Sequence, residues 1–304
     1  GEEEEVTTLL DEQPSSVPAL DIVVEDFELR GKKLGRLEVN AVNQGAEWQL
    51  HKLALRLPEA SFEASGQWGA RNERGVRSGR RRTAMDFKLA VDDAGALLTR
   101  LGMAGVFRRG SGQLDGSVAW DGSPLALDYP SMTGTLHLDV REGQFLKADA
   151  GVARLLGVLS LQALPRRLTL DFRDLFSEGF AFDFLRGDAQ IARGVVSSNN
   201  LQMKGVNAAV LMDGRADIAH ETQDLRVVVV PEINAGTASL VASVINPAIG
   251  LGTFLAQWVL RRPLMEAATQ QFQIDGTWSE PRIERVARSA SAQAEDSDKK
   301  GAVR

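Results

Sequence analysis

Apolar and polar residues alternate with period two along most of this chain, and that pattern constrains the fold more than any other feature. Leu37, Val39 and Ala41 alternate with Arg36, Glu38 and Asn40, while Leu53, Leu55 and Leu57 share one parity against Lys52 and Arg56. The pattern returns at Phe87, Leu89 and Val91, at Leu114, Val118 and Trp120, at Leu136, Leu138 and Val140, and at Leu168, Leu170 and Phe172. Phe180, Phe182 and Phe184 follow, then Val210, Met212 and Ile218, then Leu225, Val227 and Val229, and last Phe272, Ile274 and Trp278. Each stretch presents one dry and one wet face, as a strand of an antiparallel sheet does. Arg141-Glu142-Gly143 and Ala192-Arg193-Gly194 read as tight hairpin connections, and Asp213-Gly214 and Asp275-Gly276 as bulges or bends within strands.

Helical signals are few. Asp92 or Asp93 can cap a helix through Leu97, Leu98 and Leu101 that stops at Gly102. Asp149 can cap another through Val152, Leu155, Leu156 and Leu159 that stops before Pro165. Two short helices cannot cover so many strands. The dry face must close as a barrel, pair as a sandwich, or stay open as a groove for apolar ligands, and alternation alone does not choose.

Ile233 to Leu260 departs from this pattern, with no Asp, Glu, Lys, Arg or His until Arg261-Arg262. A bilayer span needs roughly 20 apolar residues, so length alone would allow one. Asn246-Pro247 interrupts it, because proline removes a backbone donor and turns the preceding residue away from helical geometry. Leu251, Phe254, Leu255 and Trp258 keep the spacing of one apolar helix face. The segment reads as two short amphipathic helices that lie on a membrane or plug an apolar cavity. A buried pair of core helices is the alternative.

The 304 residues suit one large β domain or two smaller ones, and the net charge of −6 gives no general reason to expect nucleic acid as a partner. Cysteine is absent, which excludes disulfides, thiolate metal sites and a cysteine nucleophile. The three histidines, at 51, 137 and 220, are far apart. His220-Glu221 opens like a zinc-protease motif, but Asp224 stands where the second imidazole is needed. No phosphate-binding or dinucleotide loop is present, and most carboxylates alternate with apolar strand residues as a solvated face would. The expectation is a non-enzymatic protein with no catalytic residue, cofactor or metal.

Arginines stand at 71, 74, 77, 80, 81 and 82. They read either as contacts to anionic phosphate or as a poorly structured connection between two strands. No aromatic residues interleave with them as base-stacking platforms would. The first residues lack the features of a secretory signal, so the chain is cytosolic or part of something longer. Residues 1–18 read as a flexible lead-in and 288–304 as a disordered tail, flanking one β domain over 19–287 with its apolar helical segment at about 237–262.

The run Ala153 to Leu168, continuing through Leu170-Asp171-Phe172, Asp174-Leu175-Phe176 and Glu178 to Asp183, resembles the C-terminal region of YhdP-type members of the AsmA-like family of Gram-negative envelope proteins. Asn200-Leu201, Lys204-Gly205, Gly214 to Asp217, Thr222 to Val227, Val230-Pro231, Phe254 to Gln257 and Gly276-Thr277-Trp278 with Pro281 extend the resemblance. It is specific from about residue 90 to 286 and weaker upstream.

The resemblance implies a long, open β groove with an apolar interior, part of an inner-membrane-anchored periplasmic protein that carries phospholipids toward the outer membrane. No catalytic residue is known for the family. The expected fold is mainly β, a curved and incompletely closed antiparallel sheet with a few short helices. Expected partners are phospholipid, the inner leaflet of the outer membrane and other envelope proteins. Lipid-groove candidates are Leu37, Val39, Leu53, Leu55, Leu57, Phe87, Leu89, Val118, Leu136, Leu138, Val140, Leu170, Phe172, Phe182, Val210, Val227, Val229 and Ile274. Membrane-contact candidates are Leu240, Val244, Leu251, Phe254, Leu255, Trp258, Arg261 and Arg262. A different function, assembly of outer-membrane proteins by pairing an open strand edge with client strands, uses the same strands differently.

Overall fold

Strands adjacent in sequence become neighbours in space. The computed structural model describes residues 18–29, 31–73, 76–146, 180–206, 208–231 and 270–286. They form one antiparallel sheet of 13 strands in which each strand pairs with the next. The first seven are β1 (Leu20–Leu29), β2 (Lys32–Gln44), β3 (Glu47–Arg56), β4 (Ala60–Glu73), β5 (Val76–Val91), β6 (Phe107–Asp121) and β7 (Thr133–Phe145). The rest are β8 (Phe180–Ala192), β9 (Val195–Gly205), β10 (Ala208–Asp217), β11 (Thr222–Pro231), β12 (Gln270–Thr277) and β13 (Pro281–Arg285). β1 does not pair with β13, so among the described residues the sheet is open. This resolves the choice that alternation left among barrel, sandwich and open sheet.

Arg193 (φ 50°) and Gly194 (φ 74°) form the expected hairpin turn between β8 and β9. Arg141-Glu142-Gly143 does not turn the chain. Glu142 (φ 53°) is instead a bulge inside β7, which runs on to Phe145 and is paired on both sides. A matching bulge in β6 places Arg109 (φ 56°) and Gly110 (φ 87°) beside it. A bulge adds one residue to a strand and so switches the parity of all residues beyond it. Val140 can therefore share a face with Phe145, which strict alternation would forbid. Gly214 (φ 143°) and Gly276 (φ 90°) sit within β10 and β12, as the sequence suggested.

One α-helix stands among the described residues, α1 (Ala94–Arg100), between β5 and β6. Asp93 caps it by accepting from the Ala96 amide at 2.9 Å. A Cβ on Gly95 would meet the Phe107 carbonyl at 2.8 Å, so the helix lies directly against β6. A 3₁₀ turn (Tyr129–Ser131) shapes the loop between β6 and β7. No described helix is long and apolar enough to cross a membrane. The expected strand at Leu168 to Phe172, the helix after Asp149, the apolar helix pair and the terminal tails lie outside the described residues.

Candidate functional site

The strand registers align the dry faces into continuous rows. Val24 pairs with Leu37, Leu37 with Leu55, Leu55 with Phe62, and Phe62 with Leu89. Leu89 then pairs with Leu114, Leu114 with Leu138, and Leu138 with Gly187. A Cβ on Gly187 would meet Leu201 at 2.8 Å, and from Leu201 the row passes through Met212 and Val227 to Phe272. A parallel row runs Ile22, Val39, Leu53, Ala64, Phe87, Gly116, Leu136 and Ala189. Phe62 and Phe87 stack between the two rows at 6.1 Å.

Exposure changes along this face. From Val24 to Leu201 the row's side chains are half-buried, keeping part of their surface open. From β10 onward they are closed in, with Val227 at 2% and Phe272 at 1% exposure. There they join a core with Phe180, Phe182, Met203, Val210, Val229, Ile274 and Ile283. The accessible strip is therefore mainly on β2 to β7.

Packed residues border the strip on both sides. Towards the β2–β3 and β4–β5 turns stand Trp48, Trp68 and Trp120, with Thr83 between the last two. All three tryptophans are buried. The Trp48 indole donates to the Pro18 carbonyl at 3.2 Å and the Trp120 indole to the Ser123 carbonyl at 2.9 Å. At the other ends of the strands Phe107, Phe145 and Phe182 cluster, with the Phe107 and Phe145 rings edge-on at 4.9 Å. α1 is fastened at that side because Arg100 grips the buried Glu59 carboxylate with two nitrogens, one at 2.9 Å.

The opposite face is wet and charged. Arg226 pairs with Asp213, Arg282 with Asp275 at 2.7 and 2.9 Å, and Lys52 and Arg36 with Glu38. Hydrogen bonding from Lys52 holds the Glu38 carboxyl below the usual carboxylate range, and Arg282 does the same for Asp275. His137 lies 2.8 Å from Asp188, and that hydrogen bond raises the imidazole pKa. His220 sits exposed after β10 beside Asp217, at 2.9 Å, rather than on a metal-binding helix. Among the described residues no three His, Cys, Asp or Glu side chains are grouped to hold a metal.

Leu37, Val39, Leu53, Leu55, Phe87, Leu89, Val118, Leu136, Leu138 and Val140 all fall on the dry face and are half-buried. Leu57 lies one residue beyond the strand that carries Leu53 and Leu55. β3 ends at Arg56, and Leu57 starts the turn, where its amide donates to the Ala60 carbonyl at 2.8 Å. Phe182, Val210, Val227, Val229 and Ile274 share the face but are buried in the core. Leu170, Phe172 and the eight membrane-contact candidates lie outside the described residues. Alternation missed Phe62, because in β4 its dry-face neighbours are Ala64 and Gly66, too small to mark a period. Val24 and Leu201 were missed for similar reasons of weak contrast.

The profile of the family described as "YhdP protein" matches residues 2–283. The chain belongs to the YhdP family. A curated relative, the "Intermembrane phospholipid transporter YhdP" of Escherichia coli (strain K12), is 29% identical over 259 residues, which cover 85% of this chain. The match spans only 20% of that relative's length. No solved structure matches the chain. The resemblance carried by the residues at 153–183 and beyond pointed to this same family.

Proposed function

We propose that this chain is a section of a non-enzymatic lipid-transfer conduit. In this reading phospholipid acyl chains lie on the half-exposed strip of β2 to β7, while headgroups stay in water. The unbroken row from Val24 through Leu138 carries the proposal, because it offers apolar contact at every strand without a polar step. Each buried methylene contributes about 0.8 kcal/mol, so leaving such a strip for bulk water costs an acyl chain many times the thermal energy. Moving one strand along it exchanges one aliphatic contact for another at little cost.

The relative's description as an intermembrane phospholipid transporter supports phospholipid as the cargo. The word intermembrane, and a match to only 20% of that relative's length, support a place between two membranes within a longer protein; a periplasmic setting and an inner-membrane anchor are part of the proposal. The helices read at Ile233 to Leu260 would meet the outer membrane's inner leaflet through Leu251, Phe254, Leu255 and Trp258, with Arg261 and Arg262 at the headgroups. Strand pairing with client proteins would need a free edge, and β1 and β13 are each paired on one side in the described sheet. That reading leaves the interior apolar strip without a role.

The test is to purify the chain from Gram-negative cells and identify co-eluting lipids by mass spectrometry, then measure transfer of a fluorescent phospholipid between donor and acceptor vesicles. Co-eluting phospholipid and accelerated transfer are expected. A lipid-free protein that leaves the transfer rate unchanged would overturn the reading.

A further inference from the structure

β5 leaves the start of β6 without a strand on one side. Their pairing ends at Val91 and Gly112, and α1 stands beside Phe107 to Gly110 in place of a strand. A Cβ on Gly95 would lie 3.0 Å from the Arg109 amide nitrogen, and one on Gly110 would lie 3.5 Å from the Ala94 side chain. A cleft of about 530 Å³ opens between helix and strand. Asp93, Thr99 and Arg100 line it from the helix side, and Phe107, Arg108 and Arg109 from the strand side. Its size falls within the range of small-ligand sites.

The charges in this cleft differ in their freedom. Arg100 is held by the buried Glu59 carboxylate. Asp93, the one acid in the lining, accepts from the Ala96 amide with one oxygen. Arg108 and Arg109 are exposed and have neither a hydrogen bond nor an ion pair. Consecutive residues of an unbroken strand point to opposite faces. Here the bulge that skips Gly110 in the β6–β7 register re-aims the strand, and both arginines line the same cleft. Arg109 keeps φ at 56° to do so, in the left-handed region that glycine enters freely and a side chain does not. Nothing in the fold uses its guanidinium.

We propose that this cleft binds the phosphodiester of a phospholipid headgroup. Two unpaired guanidiniums match phosphate oxygens in charge and in hydrogen-bond geometry. The Thr99 hydroxyl donates to the Gly95 carbonyl at 2.8 Å, so its lone pairs and the second Asp93 oxygen are left to accept from a headgroup hydroxyl or amine. The cleft lies just beyond the end of β5, where the Val91–Gly112 pair follows the Leu89–Leu114 pair of the dry-face row. Acyl chains attached to a phosphate held here run onto Leu89 and Leu114. That last step rests on the conduit reading, whereas capture of the phosphate does not.

The experiment titrates the full chain by calorimetry with three probes. They are dihexanoyl phosphatidylglycerol below its micelle-forming concentration, dihexanoylglycerol, which lacks the phosphate, and inorganic phosphate, which lacks the acyl chains. The parent is compared with Arg108→Gln/Arg109→Gly and with the charge-keeping Arg108→Lys/Arg109→Lys. Glycine relieves the backbone at 109, so the first variant should keep a urea midpoint no lower than the parent's. The parent should bind phosphatidylglycerol about tenfold more tightly than dihexanoylglycerol, as hydrogen bonds to a charged group allow. Arg108→Gln/Arg109→Gly should remove that preference and leave dihexanoylglycerol binding unchanged, and the lysine variant should keep part of it. A parent that binds both lipids equally would overturn the cleft and leave the apolar strip standing, as would a preference unchanged in the folded Gln/Gly variant. Inorganic phosphate bound more tightly than the lipid would overturn the headgroup as its source. If neither lipid binds, the conduit reading falls and inorganic phosphate decides the cleft: bound by the parent and lost in the Gln/Gly variant it upholds the anion site, and unbound it overturns it.

Discussion

Leu138 faces Leu114 across the β6–β7 ladder, and the pair lies in the same row of the dry face as Val227 further along the sheet. Their access to water differs. Leu138 is half-buried, while Val227 is 2% exposed and packed between Met212 and Phe272. An aspartate at 138 can turn its carboxylate to solvent and should cost about 1–2 kcal/mol, in the range of ordinary substitutions. At 227 it has neither water nor a partner and should cost more than about 4 kcal/mol. The expected outcome is a folded Leu138→Asp protein that carries less lipid and a Val227→Asp protein recovered unfolded. Urea titration and lipid mass spectrometry separate the two. A folded Leu138→Asp protein with the parent's lipid load would count against the strip as the lipid path.

Gly116 lies on the dry face of β6 opposite Leu136, where an added Cβ would sit 2.1 Å from the Thr135 carbonyl oxygen. Gly112 is in the same position against Asp139, at 2.0 Å. No side chain fits unless the ladder opens, so these glycines permit a close, coiled approach of β6 and β7. Gly116→Ala should destabilise the sheet by about 1–3 kcal/mol, measured as a shift in urea midpoint. An exposed change nearby, such as Ser117→Ala, should have a much smaller effect on stability.

Much of the sheet was legible because its dry face uses large aliphatic residues at regular spacing. Leu37 and Val39, or Leu136, Leu138 and Val140, could be assigned to one face without knowing any partner. Legibility failed where the period broke. The bulge at Glu142 has the same residues as a tight turn, and only pairing on both sides of β7 tells the two apart. Phe62 was hidden by small neighbours, and Leu57 carried the period one step beyond the strand's end. Exposure was not legible either. Val227 and Leu138 have the same kind of pattern, and only packing with strands distant in sequence makes one core and the other surface.

The buried hydrogen bond from Trp120 to the Ser123 carbonyl anchors the β6–β7 loop, and Ser123 itself has no exposed surface. Trp120→Phe keeps an aromatic ring but leaves that carbonyl with only the Ala126 amide, at 3.2 Å, as donor. The change should cost about 0.5–1.5 kcal/mol. Limited proteolysis within residues 122–131 should speed up as the loop loosens, while cleavage in the β10–β11 turn stays at the parent rate.

Glu59 ties the β3–β4 turn to α1 through Arg100, and its backbone carbonyl also accepts from the amides of Asp92 and Asp93 at 2.9 and 3.3 Å. The hydrogen bond from Arg100 is the main reason its carboxyl titrates below the ordinary value of 4.5. A carboxylate with a lower pKa folded than unfolded stabilises the fold fully above the unfolded value, and that contribution fades as pH falls through the folded value. Glu59→Gln keeps the shape and removes the charge. It should lower stability at neutral pH by about 2 kcal/mol, as expected for hydrogen bonds to a charged group. The gap between parent and variant should narrow below about pH 4.5 and close at more acid pH, measured by urea unfolding across that window. A gap that stays constant through the acid range would show that the ionised carboxylate is not what holds α1 to the sheet.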